Sequence, residues 1–134
     1  MRADLHHVHL FASDLDASVR WWRDMLGGEI AYDGDFGGAR NIFMRVGAGR
    51  LHLYEQQPRR SPGGALHHVG IQCRDLKGLV GRMKAKGMEF RREVRDFGNW
   101  RYIMCAAPDD VLLELFEIDV EDMPPALADY FAGR

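Results

Sequence analysis

The chain has 134 residues and a mass of 15.3 kDa, enough for one ordinary domain that buries roughly two-thirds of its unfolded surface without a disulfide or oligomeric staple. Its 46% hydrophobic and 28% charged residues are globular proportions that exclude disorder, collagen and coiled coil. The net charge of -2 conceals an asymmetry, because residues 56–105 hold 11 Lys and Arg against 4 Asp and Glu while residues 106–134 hold 1 Arg against 8 acids; a uniformly basic nucleic-acid binder does not look like this, although a local anion site does.

Taken in order, Leu5–Ala12 alternates apolar and polar residues and predicts a half-buried strand. Ser13 or Asp14 then caps a helix whose apolar residues Leu15, Val19, Trp22 and Leu26 recur at helical spacing, and Gly27-Gly28 stops it. Strands follow at about 29–33, 40–46 and 50–55, separated by Asp33-Gly34-Asp35 and Gly47-Ala48-Gly49. Residues 56–65, with Pro58, Arg59, Arg60 and Pro62, read as an exposed linker. A second strand-like run, Leu66–Cys73, precedes a helix capped by Asp75, with Leu76, Leu79, Val80 and Met83 on its apolar face and Gly87 at its end. Strands are predicted at 88–94, 100–106 and 111–117, with turns at Asp96-Phe97-Gly98-Asn99 and Pro108-Asp109-Asp110. In the tail 119–134, Asp122, Pro124, Leu127, Tyr130 and Phe131 predict a short terminal helix docked on the body.

The order of elements is the same twice. Leu5–Leu15 and Leu66–Leu76 superpose at an offset of 61 with six of eleven positions identical, and Leu51–Glu55 matches Leu113–Glu117 at an offset of 62. The expected architecture is therefore α+β, a single domain over 1–134. It contains two tandem βαβββ modules, about 5–55 and 66–118, which form a cupped mixed β-sheet around a metal site, with a short C-terminal helix. Cys73 and Cys105 lie in apolar runs with no zinc or redox spacing and read as reduced core thiols of a cytoplasmic protein. Met1–His7 lacks an apolar leader region and no run reaches about 18 apolar residues, so a membrane is not an expected partner, and the charge distribution sets nucleic acid aside.

The repeat gives the six histidines a geometry. His7 and His68 hold the same place in the first strand of each module, and His52 and Glu114 the same place in the last. If the modules pack with pseudo-two-fold symmetry, these four converge as an N₃O ligand set suited to Zn²⁺, Ni²⁺, Co²⁺, Fe²⁺ or Mn²⁺ with positions left open for substrate. A lone strand histidine is ordinarily a satisfied structural residue, but four metal-capable residues at equivalent positions argue the other way, and Glu114 between Leu113 and Leu115 is otherwise an expensive carboxylate. A metal-free scaffold is the alternative. Alternation turns His6 and His67 to the opposite side as structural residues. It places His9 on the face of His7, either as a partner that orients ligands and shuttles a proton or as simple lining. Tyr54 and Gln72 share that lining, and Gly70, the counterpart of His9, leaves room.

These residues resemble the vicinal oxygen chelate superfamily of glyoxalase I, methylmalonyl-CoA epimerase, type I extradiol dioxygenases and fosfomycin resistance proteins. The resemblance covers residues 5–118 and rests on His7-Val-x-Leu-x-x-x-Asp-Leu15, Trp21-Trp22-Arg-Asp-Met-Leu-Gly27, His68-Val-Gly-Ile71 and Pro108-Asp-Asp-Val-Leu-Leu-Glu-Leu115. It implies that His7, His68 and Glu114 are metal ligands, and it places His52 where glyoxalase I has a glutamate and the epimerase a glutamine. That departure leaves Glu114 as the remaining carboxylate for proton transfer and makes His52 either ligand or base. The turn that is often Asp-Pro-Asp-Gly in the family is Ala107-Pro-Asp-Asp110 here.

The function so implied is a divalent-metal-dependent isomerase or lyase of the glyoxalase I or epimerase type. It would chelate vicinal oxygens of a small-molecule substrate and move a proton through an enediolate, with Glu114, His52 and His9 as catalytic residues. Alternatives are an Fe(II) extradiol-type dioxygenase, disfavoured by the short chain, and a metal-free ligand-binding module of the resistance type. A thiol transferase of the fosfomycin-resistance type fits the length, but His9 stands where that group usually has threonine. Arg59, Arg60, Lys84, Lys86, Arg91, Arg92 and Arg95 either attract an anionic substrate or form a solvated face. A homodimer is expected, since the resemblance implies cups completed or buried by dimerisation and Trp21 and Trp22 cannot share one core stripe.

Overall fold

The structure is a computed structural model and describes residues 6–36, 38–58, 66, 68–125, 128 and 131–132. The chain folds as two compact units, Met1–Ala65 with Ala107–Asp110, and Leu66–Ala106 with Val111–Arg134.

In the first unit, β1 (Val8–Ala12), α1 (Leu15–Leu26), β2 (Glu29–Phe36), β3 (Ala39–Val46) and β4 (Gly49–Glu55) follow one another, and the strands form one mixed sheet in the order β1-β4-β3-β2. Asp14 starts the helix, its side chain accepting from the Ala17 N–H at 3.0 Å, and Gly27 closes it with φ 69°. The next residue is crowded as well, because a Cβ on Gly28 would lie 3.1 Å from the Trp22 carbonyl oxygen, backbone that cannot easily give way. Leu15, Val19 and Trp22 of α1 are buried together with Leu10, Ala12, Ile42, Met44, Leu51 and Leu53 of the sheet. The alternate residues of β1, β3 and β4 therefore point to the other face.

The second unit repeats the plan with β5 (Val69–Gln72), α2 (Leu76–Ala85), β6 (Arg95–Asp96), β7 (Trp100–Ala107) and β8 (Val111–Ile118), in sheet order β5-β8-β7-β6. Asp75 caps α2 by accepting from the Gly78 N–H at 2.9 Å. The first helical N–H, that of Leu76, donates to Glu117 Oε2 at 2.9 Å, and the other oxygen of that carboxylate accepts from Arg101 Nη2 at 3.0 Å. Leu76, Val80 and Met83 are buried with Ile103, Cys105, Leu113 and Leu115. Cys73 and Cys105 are free thiols, and burial pushes each up to about 11.

The duplication read from the sequence is reproduced in the hydrogen-bond register. The parallel pair β1/β4 sets Val8 opposite Leu51, His9 opposite His52 and Leu10 opposite Leu53. The parallel pair β5/β8 sets Val69 opposite Leu113, Gly70 opposite Glu114 and Ile71 opposite Leu115. These are the same offsets of 61 and 62.

Three expectations need correction or completion. The strand predicted at 88–94 is absent, and only Arg95 and Asp96 pair with β7. Alternation sets Met88, Phe90 and Val94 on one side, each half-buried, but the exposed Arg92 interrupts that side and no ladder forms before Arg95. The first strands begin later than predicted, at Val8 and Val69, so that His6, His7 and His68 precede them; Leu5 and His67 lie outside the described residues. In the tail, hydrogen bonds from the Ala128 N–H to the Pro124 carbonyl and from the Ala132 N–H to the Ala128 carbonyl are helical in type. Phe131 packs its ring against Phe116 with centroids 6.1 Å apart, and its carbonyl accepts from Gln72 Nε2 at 2.9 Å, which docks the turn on β8 and β5. Leu127 and Tyr130 lie outside the described residues. Among the described residues no helix is long and apolar enough to cross a membrane.

Candidate functional site

The face of the first sheet turned away from α1 is built by strand alternation. Opposite the buried Leu51–Leu53 stripe stand His52 and Tyr54. Register then places His9 and Phe43 beside His52, and Phe11 and Asn41 beside Tyr54. The His52 ring lies between two others, stacked on His7 at a centroid distance of 3.7 Å and on Phe43 at 3.8 Å. Desolvation lowers the pKa of His52 from its ordinary 6.5, and the neighbouring His7, His9 and His6 lower it further. His52 is thus a neutral imidazole at pH 7, the form that donates a lone pair to a metal or accepts a proton. A cavity of about 520 Å³ opens on this face, walled chiefly by His7, His9, Phe11, Phe43, His52 and Tyr54.

On the second sheet, Glu114 occupies the β8 face opposite the fully buried Leu113 and Leu115. The expense of placing a carboxylate there is met by His68, whose Nε2 lies 2.9 Å from Glu114 Oε2, with side-chain exposures of 34% and 16%. Gly70 faces Glu114 across the ladder, and a Cβ there would meet Phe116 Cε1 at 3.4 Å.

The structure therefore brings the four expected ligands together as two pairs, His7 with His52 and His68 with Glu114, each within its own unit. Imidazole nitrogens and a carboxylate oxygen are the donors that a borderline divalent ion prefers, so the chemistry of the residues fits such an ion. His9 stands near the first pair, its ring 6.5 Å from that of His52 and 5.8 Å from that of Tyr54.

His6 departs from expectation. Instead of pointing away, it lies beside His7 with Nδ1 atoms 3.1 Å apart, and its ring is 6.4 Å from that of His52. Alternation governs side chains only inside a strand, and the chain enters β1 after His7. The sequence signal was the late onset of the β-branched residue Val8 after two adjacent histidines. Sequence reasoning also missed Phe11 and Phe43 as walls of the cavity. Reading the alternation Asn41-Ile-Phe-Met44 against His52 finds Phe43. Of the basic residues of the middle segment, Lys84 lies over the Phe90 ring at 5.9 Å, Arg95 over Phe97 at 5.5 Å, and Arg91 and Arg92 are exposed, while Arg59 and Arg60 lie outside the described residues.

Several solved structures share this architecture. FosX from Listeria monocytogenes, in a mutant form complexed with Mn(II) and 1S,2S-dihydroxypropylphosphonic acid, is 21% identical and superposes with a TM-score of 0.74 over 90% of this chain and 96% of its own. A glyoxylase/bleomycin resistance protein/dioxygenase domain from Frankia sp. EAN1pec is 21% identical with a TM-score of 0.76, covering 92% of this chain and 96% of that one. A glyoxalase family protein from Enterococcus faecalis is 20% identical with a TM-score of 0.72, covering 85% and 97%. At these identities the likeness is one of fold. No curated protein matches the chain significantly. Residues 4–115, which span both sheets and both helices, match the family described as Glyoxalase/Bleomycin resistance protein/Dioxygenase superfamily. The chain belongs to that superfamily.

Proposed function

We propose that the protein is a divalent-metal-dependent isomerase or lyase of the glyoxalase I or epimerase type, with His7, His52, His68 and Glu114 as the ligand set and a small oxygen-bearing molecule as substrate. The observation that carries this reading is the register: the two units set His52 and Glu114 at equivalent positions, each with a histidine from the residues just before a first strand at its side. The ion, when bound, supplies Lewis-acid stabilisation of negative charge on the substrate oxygens. The chain's own residues do the rest. Glu114, with 16% of its side chain exposed, is the carboxylate that takes a proton from a carbon next to a carbonyl and returns it, and His68 holds one of its oxygens in place. His52, neutral at pH 7, is the second base or a ligand, and its sandwich between His7 and Phe43 fixes its ring. Similar structures hold Mn(II), sulfate or a phosphonate, which supports a divalent ion, Zn, Ni, Co, Fe or Mn, and an anionic substrate. Two free thiols support a reducing, cytoplasmic setting.

The test is metal-dependent exchange of substrate C–H for solvent deuterium, read by proton NMR on glutathione hemithioacetals of 2-oxoaldehydes and on branched malonyl thioesters. Exchange that needs one of these ions and disappears in Glu114→Gln is the expected result. The aromatic walls Phe11, Phe43 and Tyr54 favour one second reading, an Fe(II) extradiol-type dioxygenase with a flat aromatic substrate. Oxygen uptake with a catechol and Fe(II), without deuterium exchange on the thioesters under any ion, would replace the first reading by the second.

A further inference from the structure

We propose that His6 is a further metal ligand and that His6, His7 and His52 form a three-imidazole metal face built within the first unit. Each of the three offers a ring nitrogen, and these atoms all lie within 4.8 Å of one another. The two Nδ1 atoms of His6 and His7 are 3.1 Å apart. Two nitrogens on one ion, each at roughly 2.0–2.1 Å, stand at about this separation when the angle between them is near tetrahedral.

The cluster is held in different ways at its two ends. His52 belongs to β4 and is clamped between His7 and Phe43, so it is a fixed anchor. His6 is exposed and precedes β1, so rotation about its side-chain bonds brings either nitrogen round without disturbing the stack of His7 on His52. The set contains no carboxylate, so it favours Zn²⁺, Co²⁺, Ni²⁺ or Cu²⁺ over the oxygen-seeking Mg²⁺ and Ca²⁺. This inference takes from the proposed function only the class of ion; it differs in which residues hold it.

The experiment is titration of the untagged full chain with Co(II), following the visible d–d bands, with the dissociation constant taken from competition with a chelator. Wild type is compared with His6→Ala, His6→Gln and His68→Ala. The expected result is that both His6 variants bind Co(II) about 10-fold to 100-fold more weakly and with shifted bands, while circular dichroism shows the metal-free fold unchanged, since His6 is exposed. An unaltered affinity and spectrum in both His6 variants would overturn the inference, and loss of binding in His68→Ala alone would at the same time leave the four-ligand reading standing. Weakened binding in the His6 variants with no change in His68→Ala would establish the three-histidine face and remove the four-ligand set instead.

Discussion

The two units are the same backbone with different faces. Where the first sets His9 opposite His52, the second sets Gly70 opposite Glu114 in the identical ladder position. On the reverse of the same strands nothing of the kind has happened. Leu53 and Leu115 are equivalent, 1% and 0% exposed, and both remain leucine. The residue that must fill a close-packed gap has few substitutes, whereas the residue on the open face is constrained only by the chemistry it performs. A change of chemical type on one face of the duplicated strands, where the other face keeps apolar residues such as Leu10 and Ile71 or Leu53 and Leu115, is therefore itself a pointer to function. The first unit has become imidazole-rich and aromatic, and the second holds a carboxylate with room beside it.

The largest effect is expected from erasing the chemical difference. Glu114→Gln removes the base while preserving the shape of the side chain, and the proton-exchange rate should fall by about 10²-fold to 10⁴-fold. Glu114→His, which copies the first unit into the second, should keep metal in elemental analysis and lose comparable activity. If His52→Gln costs as much exchange as Glu114→Gln, the two faces share the proton work and the contrast between them is wrong.

The converse experiment probes what the units have in common. Leu53→Ala and Leu115→Ala each leave a cavity in a layer that is fully buried, and each should cost roughly 2–5 kcal/mol in urea denaturation. Losses of similar size confirm two equivalent cores. A several-fold difference would show that one unit carries more of the stability, and the second is then the weaker, since β6 pairs only two residues with β7 while β2 pairs with β3 from Glu29 to Phe36.

Protonation should weaken the first face, and it does so by way of His52, whose pKa lies below its ordinary 6.5 through desolvation and its histidine neighbours. Between the ordinary and the folded value, the unfolded chain binds more protons than the folded one. The contribution of His52 is therefore complete above about pH 6.5 and is lost as the pH falls through the folded value. The melting temperature of the metal-free protein should decline from pH 7.5 to pH 5, and His52→Phe, which keeps a ring in the stack with His7 and Phe43, should flatten that decline. An unchanged slope in the variant would place the acid sensitivity elsewhere.

Much of this was legible in the chain itself. The duplication, the helices with their caps at Asp14 and Asp75, and the equivalence of His52 with Glu114 follow from spacing, because strand and helix periods are local properties of the backbone. The strand expected at 88–94 failed for a tertiary reason: Met88, Phe90 and Val94 alternate as a strand would and are half-buried, but no neighbour pairs with the run before Arg95, and pairing is not a local property of the sequence. His6 was misread at a boundary, which is where periodic arguments lose their footing. Phe43 was overlooked because its importance lies in a cross-strand neighbour, His52, that only the register supplies.

The smallest effects lie in the turns that close each pair of last strands. Between β3 and β4 the left-handed position is taken by Gly47, with φ 58°. At the equivalent place between β7 and β8 stand two aspartates in that conformation, Asp109 at φ 62° and Asp110 at φ 59°. A side chain there costs about 1 kcal/mol or somewhat more, so each must have a compensation or be a liability. Asp109 has one: its carboxylate accepts from the Ser13 N–H at 3.0 Å and from the Ser13 hydroxyl. Asp109→Gly should relieve the backbone yet lose both bonds, for a net loss of about 1 kcal/mol. Asp110 is exposed. Asp110→Gly exchanges strain for extra freedom in the unfolded chain, worth roughly 0.5–1 kcal/mol in the other direction, and should raise stability by about 0.5 kcal/mol in urea denaturation. If the two substitutions move stability the same way, the Ser13 contact does not hold the turn, and Asp109 is tolerated there for the same lack of constraint as Asp110.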